Sequence, residues 1–378
     1  MPRLHLFNPE NDIALATGSD NFTAPKAALA LRASGAALPL WYGDPGDTFL
    51  AYGINTRWLD SVRERFGIGV GVFDHRSANV FEPAPWGWSA AVRRDFLREG
   101  FTADSLPDNS ILNRWRQLSH RRTAAELCRM IAPRLDFAIA PPAVEIDSVD
   151  RLSRYLADNR SVIIKSPWSS SGRGLIDTRH ISAAEALRRS EGIIRRQGSV
   201  MVETAYERTA DFAMLFECAD SRCRRVGLSL FTADASGSYT GNALASDSRL
   251  LERLSRHYPA SRLNAAGEAL REAVECLIAP CYSGPLGIDM LVARLNDGSA
   301  LLDATVEINL RMTMGFVAHS LSERFLSPGS EGSFSVTPAY NSPAPDDAII
   351  ENRRIISGRI DLTPPGGLFR FAAEAYPL

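Results

Sequence analysis

The sequence predicts an α/β protein, and three stretches carry that prediction. Near the N-terminus an apolar strand, residues 4–7, runs through the polar stretch Asn8-Pro9-Glu10-Asn11-Asp12 toward a helix over residues 25–33. That helix has Pro25 in its first turn and Gly35 just past its end. In the middle, the β-branched run Val162-Ile163-Ile164-Lys165 opens into the Ser/Gly loop SPWSSSGRG. Late in the chain, apolar segments 287–292 and 300–310 flank the turn Asn296-Asp297-Gly298, which pairs them as an antiparallel hairpin. Strand, polar loop and helix in that order place ligands at the carboxyl ends of strands.

Taken in order, strands over 38–42 and 70–73 and a helix over 90–98 complete a small first domain ending near residue 113. Pro83, Pro85, Trp86, Gly87 and Trp88 form a rigid aromatic corner read as packing, because Trp gains much from burial. Residues 113–130 have helical spacing with Ser119 as an N-cap, and His120, Arg121 and Arg122 cluster at the start of the following helix. Such a cluster is either solvated or turned toward an anion by the nearby N–H groups. After Pro133, Pro141 and Pro142 come a helix from 149 to 156, the Lys165 strand and a helix over 183–196. Next are a short strand, 200–203, ending in Glu203, strands at 211–216 and 225–231, a hairpin-like turn at 235–238 and an amphipathic helix over 262–277. Residues 327–347, rich in Pro, Ser and Gly, read as a loop. The alternating tail 349–371 reads as strand that completes a sheet.

Composition narrows the function. The chain has 378 residues, 45% hydrophobic, with a formal charge of −2, so it is expected to form roughly two or three domains of ~150 residues. No Lys/Arg block stands apart from acids, which argues against nucleic acid as a partner. No apolar run long enough for a signal peptide or membrane span is evident, and a cytoplasmic location is the expectation. Five cysteines at irregular spacing read as reduced core fillers. Of the 42 basic residues only Lys26 and Lys165 are lysine, which marks both as positions where a compact ammonium is wanted.

The chemistry sits in two of the opening stretches. The Ser/Gly loop after Lys165 offers backbone N–H groups and hydroxyls suited to phosphate oxygens. Glu307 and Asn309, two residues apart on a strand, leave the same face and offer oxygens to magnesium. Asp289, in the middle of an apolar strand, must be paired, hydrogen-bonded or metal-bound. Asn8, Glu10, Asn11 and Asp12 fit turn and cap chemistry or, together with Lys26, a substrate pocket.

A lysine strand with a Gly-rich flap, a strand ending in Glu, and a carboxylate strand paired with Glu-x-Asn-x-Arg (VEINLR, 306–311) together resemble the ATP-grasp superfamily, of carboxylate–amine ligase type, over residues 115–320. The resemblance implies a small N-terminal α/β pre-ATP-grasp domain (1–113) and two ATP-grasp subdomains (114–204 and 205–378) with the nucleotide cleft between them. It implies that Lys165 contacts the α and β phosphates while Ser169, Ser170, Ser171, Gly172 and Gly174 cover them. Glu203 would lie by the adenine, with backbone contacts from Ala205 and Tyr206. Asp211 stands where the family places a Glu on the ribose hydroxyls, and Arg121 where many members carry a phosphate-contacting Lys. Asp289, Glu307 and Asn309 match the magnesium ligands, with two ions implied, and Arg311 matches the charge beside the transferred phosphoryl. The implied reaction is ATP-dependent joining of a small-molecule carboxylate to an amine through an acyl phosphate. Some members instead stop at phosphoryl transfer, and a non-catalytic nucleotide-binding or regulatory protein is the contrasting class. The acid, the nucleophile and the oligomeric state are left open.

Overall fold

Short apolar stretches broken by polar turns build the N-terminal sheet. The computed structural model describes residues 1–74, 80–169, 174–233, 239–339 and 346–378. Strand Arg3–Leu6 lies between Thr48–Phe49 and Glu82–Pro85, with Gly71–Val72 at the edge, all parallel. The helices Lys26–Ser34 and Ala90–Arg98 follow the sequence expectation closely. Two other expectations are corrected here. Residues 38–41 form a 3-10 helix rather than a strand, as Pro39 lacks the N–H a central strand must donate. Asn11 and Asp12 belong to the first turn of a helix, Asn11–Thr17, not to a loop.

A second, antiparallel sheet runs Val144–Ile146, Val200–Thr204, Val162–Lys165, Leu175–Asp177. The helices Val149–Asp158 and Ala183–Gln197 bury Leu152, Leu156, Ala186 and Ile193 against it. The largest sheet, nine antiparallel strands among the described residues, places Ala300–Asn309 at its edge beside Gly284–Arg294 and then Glu207–Ala219. Helices Ala260–Leu277 and Arg122–Ile131 contribute Leu263, Leu270, Leu127 and Ile131 to its core. The tail does complete this sheet. The stretch expected to be loop carries strand Ser330–Pro338, and only 340–345 within it lie outside the described residues.

The expected continuous pattern over 113–130 is two helices, Asn109–Leu118 and Arg122–Ile131. Ser119 is the C-cap of the first, its hydroxyl donating to the Trp115 carbonyl, and the second begins after Arg121. Ser and Thr hydroxyls close helices backward as readily as they open them forward, and spacing alone does not separate the two. Of the cysteines, Cys128, Cys218 and Cys223 are buried, Cys281 is half-buried and Cys276 is exposed, so core filling does not describe all five. No described helix is long and apolar enough to cross a membrane.

The N-terminal and C-terminal regions meet in specific contacts. Phe7 and Trp41 of the N-terminal region stack edge-on against Phe371 and Phe325 of the C-terminal region, and the Trp41 indole donates to the Leu362 carbonyl at 2.7 Å. The aromatic corner packs as expected: Trp86 is buried against Phe7, and its carbonyl accepts from the Met312 amide at 2.8 Å. That hydrogen bond fastens the first sheet to the segment just after Arg311.

Candidate active site

Strand alternation assembles the site. Along Ala300–Asn309, residues 303, 305, 307 and 309 share one face. On the neighbouring strand Asp289 stands directly opposite Glu307, at a separation that puts two carboxylates in each other's field. Burial, and then the Glu307 charge, push the Asp289 carboxyl well above the usual carboxylate range, against the opposing pull of Arg311 and Asn309.

Three cations face this strip. Lys165, at the end of its strand and buried, pairs with Glu203 Oε1 at 2.5 Å. Its strand neighbours explain the meeting, since 162–165 and 201–204 run antiparallel with Ile163 opposite Glu203. Arg121, also buried, donates to the Ser166 carbonyl and to Ser169 Oγ (2.9 Å), and its other Nη pairs with Glu307 Oε2 at 2.7 Å. One guanidinium therefore ties the start of the Ser/Gly loop after Lys165 to Glu307. Its Nε, buried, has no partner. Arg311 grips Asp12 with Nε at 3.0 and 3.1 Å from the two oxygens and Nη2 at 2.5 Å, and also reaches Asn309 Oδ1 at 2.8 Å.

Several expected site residues stand in other roles. Ser170, Ser171 and Gly172, with the turn at 235–238, lie outside the described residues. Gly174 closes the flap at φ +75°, and a Cβ there would come 2.6 Å from Ser166 Oγ, so glycine is required twice over. The Ala205 amide donates to the Ser161 carbonyl, leaving only its carbonyl for a base, while the Tyr206 carbonyl accepts from Arg179 at 3.4 Å. Asp211 pairs with Arg208 at 3.3 Å and feels the Lys165 charge, yet burial raises its carboxyl above the ordinary value. His120 is fully buried, and burial together with the flanking arginines holds its pKa at about 3, so it is neutral and the basic cluster carries two charges, not three.

The N-terminal candidates divide. Asn8 exchanges hydrogen bonds with the backbone of Gly87, and the Asn11 amide, turned so that its nitrogen faces them, donates to the Gly87 and Trp88 carbonyls. Both are struts for the aromatic corner. A Cβ on Gly87 would lie 2.5 Å from Asn11 and 3.1 Å from the Arg311 Cβ, which is why glycine separates the two tryptophans. Asp12 holds Arg311, and Glu10 pairs with Arg32 at 2.9 Å. Lys26 is exposed and does not line the cavity beside Glu10 and Asn11.

Asp303 was missed. It is 8% exposed, and burial with the Glu203 charge lifts its pKa to about 6 while Lys165 pulls it down. The period-two run Asp303, Thr305, Glu307, Asn309 was the available signal.

Magnesium fits the donor set. Among the described residues no three His, Cys, Asp or Glu side chains form a metal cluster. Two carboxylates and an amide oxygen nevertheless suit a hard cation that fills its shell with phosphate oxygens and water. The forced proximity of Asp289 and Glu307 is a repulsion that a dication relieves.

No family model matches the chain, and no curated protein matches it in sequence. In solved structures, it is similar to a biotin carboxylase–βγ-ATP complex from Campylobacter jejuni, at 11% identity and TM-score 0.53, covering 99% of this chain and 87% of that one. It is likewise similar to the biotin carboxylase domain of the Hydrogenobacter thermophilus 2-oxoglutarate carboxylase with MgADP, ADP and bicarbonate. There the identity is 12% and the TM-score 0.51, over 100% of this chain and 86% of that one. The likeness is one of fold: the chain shares the architecture of these two structures.

Proposed function

We propose that the chain is an ATP-dependent ligase that activates a small-molecule carboxylate as an acyl phosphate and joins it to an amine or similar nucleophile, releasing ADP and phosphate. The observation that carries this reading is Arg121, whose one guanidinium touches both the loop after Lys165 and Glu307. Phosphate-binding and metal-binding groups thus share a single cleft.

Lys165 and Arg121 neutralise the ATP phosphates, and Glu203 lies at the adenine end of the cleft. Asp289, Glu307 and Asn309 would hold magnesium, as two ions. When bound, magnesium neutralises phosphate charge and keeps the transferring group in line. Each cation is paired with a carboxylate. Loading therefore exchanges partners instead of ordering free side chains, which lowers the conformational cost of binding. A substrate carboxylate oxygen then forms its bond to the γ phosphorus as the bond to ADP breaks. Arg311, fixed by Asp12, stabilises the charge that develops there and again when the amine displaces phosphate.

The test is a screen of small carboxylates with ATP, Mg²⁺ and hydroxylamine. A hydroxamate and ADP in equal amounts are expected for at least one acid. ADP formation with a phosphorylated alcohol and no hydroxamate would replace the ligase with a phosphotransferase, and ATP binding without ADP under any substrate would leave a regulatory protein.

A further inference from the structure

The helix Asn11–Thr17 is fastened at both ends to parts of the cleft. Its first turn carries Asp12, which grips Arg311. At its last turn the left-handed Gly18 returns its amide to the Ala14 carbonyl, and the Leu15 carbonyl is taken by Arg116, with Nε at 2.6 Å. A Cβ on Gly18 would lie 3.2 Å from that same Nε, so glycine serves both the turn and the approach of the arginine. Along its side the helix lines a cavity of about 230 Å³, through Asn11 and Ala14, together with Glu10, Arg32, Arg94 and Asp95. Substitutions inside the helix would disturb that cavity as well, so its two fastenings are better probed from their partners.

Arg116 has a second hold. Its guanidinium lies over Trp168, with Cζ 3.9 Å from the ring centroid, and the Trp168 indole N–H donates to the Arg116 carbonyl at 2.9 Å. That carbonyl is free for the indole because the helix Asn109–Leu118 ends just beyond it and the His120 amide, four residues on, turns to the Gln117 carbonyl. His120 meets the indole edge-on at 4.6 Å between ring centroids, and the Trp168 amide donates to Gln197 Oε1 at 3.0 Å. Trp168, 6% exposed, is thus held by its ring, its N–H and its backbone. It stands three residues after Lys165 and directly before Ser169, whose Oγ accepts from Arg121. A flat guanidinium over an indole fixes the ring's orientation as well as its distance, which an aliphatic contact does not.

We propose that Arg116 and Trp168 are positioning residues of the nucleotide site. They fix residues 166–169 to the helix Asn11–Thr17, so that one helix sets the start of the phosphate loop from its last turn and Arg311, through Asp12, from its first. The proposal rests on the nucleotide reading of the cleft. Neither residue touches the nucleotide; both act through the segment that follows Lys165. A purely structural pair would lower the melting temperature when cut and leave nucleotide affinity alone.

Calorimetric titration of the full chain with Mg²⁺ and the non-hydrolysable analogue adenylyl imidodiphosphate, well below the melting temperature of each variant, tests it. Arg116→Gln, which keeps a donor for the Leu15 carbonyl and loses the charged stack, should weaken the analogue on the order of tenfold. Trp168→Leu should do the same. The double variant should bind about as weakly as either single one, because the two side chains act as one contact. Trp168→Phe, which keeps a ring face for the guanidinium, should recover most of the affinity. Wild-type affinity in a folded Arg116→Gln or Trp168→Leu protein, or losses that multiply in the double variant, would overturn the proposal. Should either single variant fail to fold, Arg116→Lys keeps the charge without the flat stack; about threefold weaker binding there is expected, and wild-type affinity would overturn the proposal. A wild-type protein that binds no analogue rejects the nucleotide reading and this one with it, whereas wild-type binding with indifferent variants rejects this one alone.

Discussion

The cleft and the cavity are both lined with charge, but they treat it differently. In the cleft, groups from separate elements meet partner to partner: Lys165 with Glu203, Arg121 with Glu307, Arg311 with Asp12. Arg121 Nε is the exception. In the cavity, a loop and two helices bring Glu10, Arg32, Arg94 and Asp95 together, and an oxygen of one sign and an N–H of the other are left over. Paired charges hold a site's shape and are exchanged when a polyanion arrives.

The largest expected effect is on the first kind of site. Glu307→Gln, which keeps a hydrogen-bond acceptor for Arg121, should lower ATP turnover at least about a hundredfold, read as ADP release from a protein with an unshifted melting curve. Wild-type turnover would remove Glu307 from the metal set. Lys165→Gln, which leaves Glu203 a donor, should weaken ATP binding on the order of tens-fold, the worth of a lost charge-assisted contact. Unchanged affinity in a calorimetric titration would place the phosphates elsewhere. Asp12→Asn connects the two regions. It should lower kcat about tenfold with the KM for ATP unchanged, because Asp12 positions Arg311 and does not touch nucleotide; a changed KM with constant kcat would contradict that role.

The smallest effect concerns stability alone. The folded pKa of Asp303, about 6, lies above its unfolded value, so the native state holds that proton more tightly than the unfolded chain does. Its contribution is fully present below about pH 4 and is lost as pH rises through about 6. Asp303→Asn should therefore melt a few degrees higher than wild type at pH 8 and nearly together with it at pH 4. The reverse order would show that Lys165 stabilises the ionised form more than burial penalises it.

The same contrast explains what could be read in advance. The Lys165 strand, the Asn296–Gly298 turn and the facing of Asp289 by Glu307 follow from apolar runs, turn residues and a period of two, all local properties. The cavity does not follow from local pattern. Arg94 and Asp95 sit in AAVRRDFLR, where an amphipathic reading leaves charge to solvent, and only the packing of that helix beside Glu10 gives them another role. Leu38-Pro39-Leu40-Trp41 looked like strand because apolar content was weighed above the missing Pro39 donor. Ser119 was misplaced for a related reason: cap preference is weak beside tertiary contacts.

The central claim is that Lys165 and the Asp289–Glu307 pair serve one nucleotide. A crystal structure with Mg²⁺ and a non-hydrolysable ATP analogue tests it most directly. The account predicts phosphate oxygens on Lys165 and Arg121 and a metal ion on Glu307, with the Arg121–Glu307 contact opened. A nucleotide bound away from Lys165, or a metal with no contact to Asp289, Glu307 or Asn309, would contradict it.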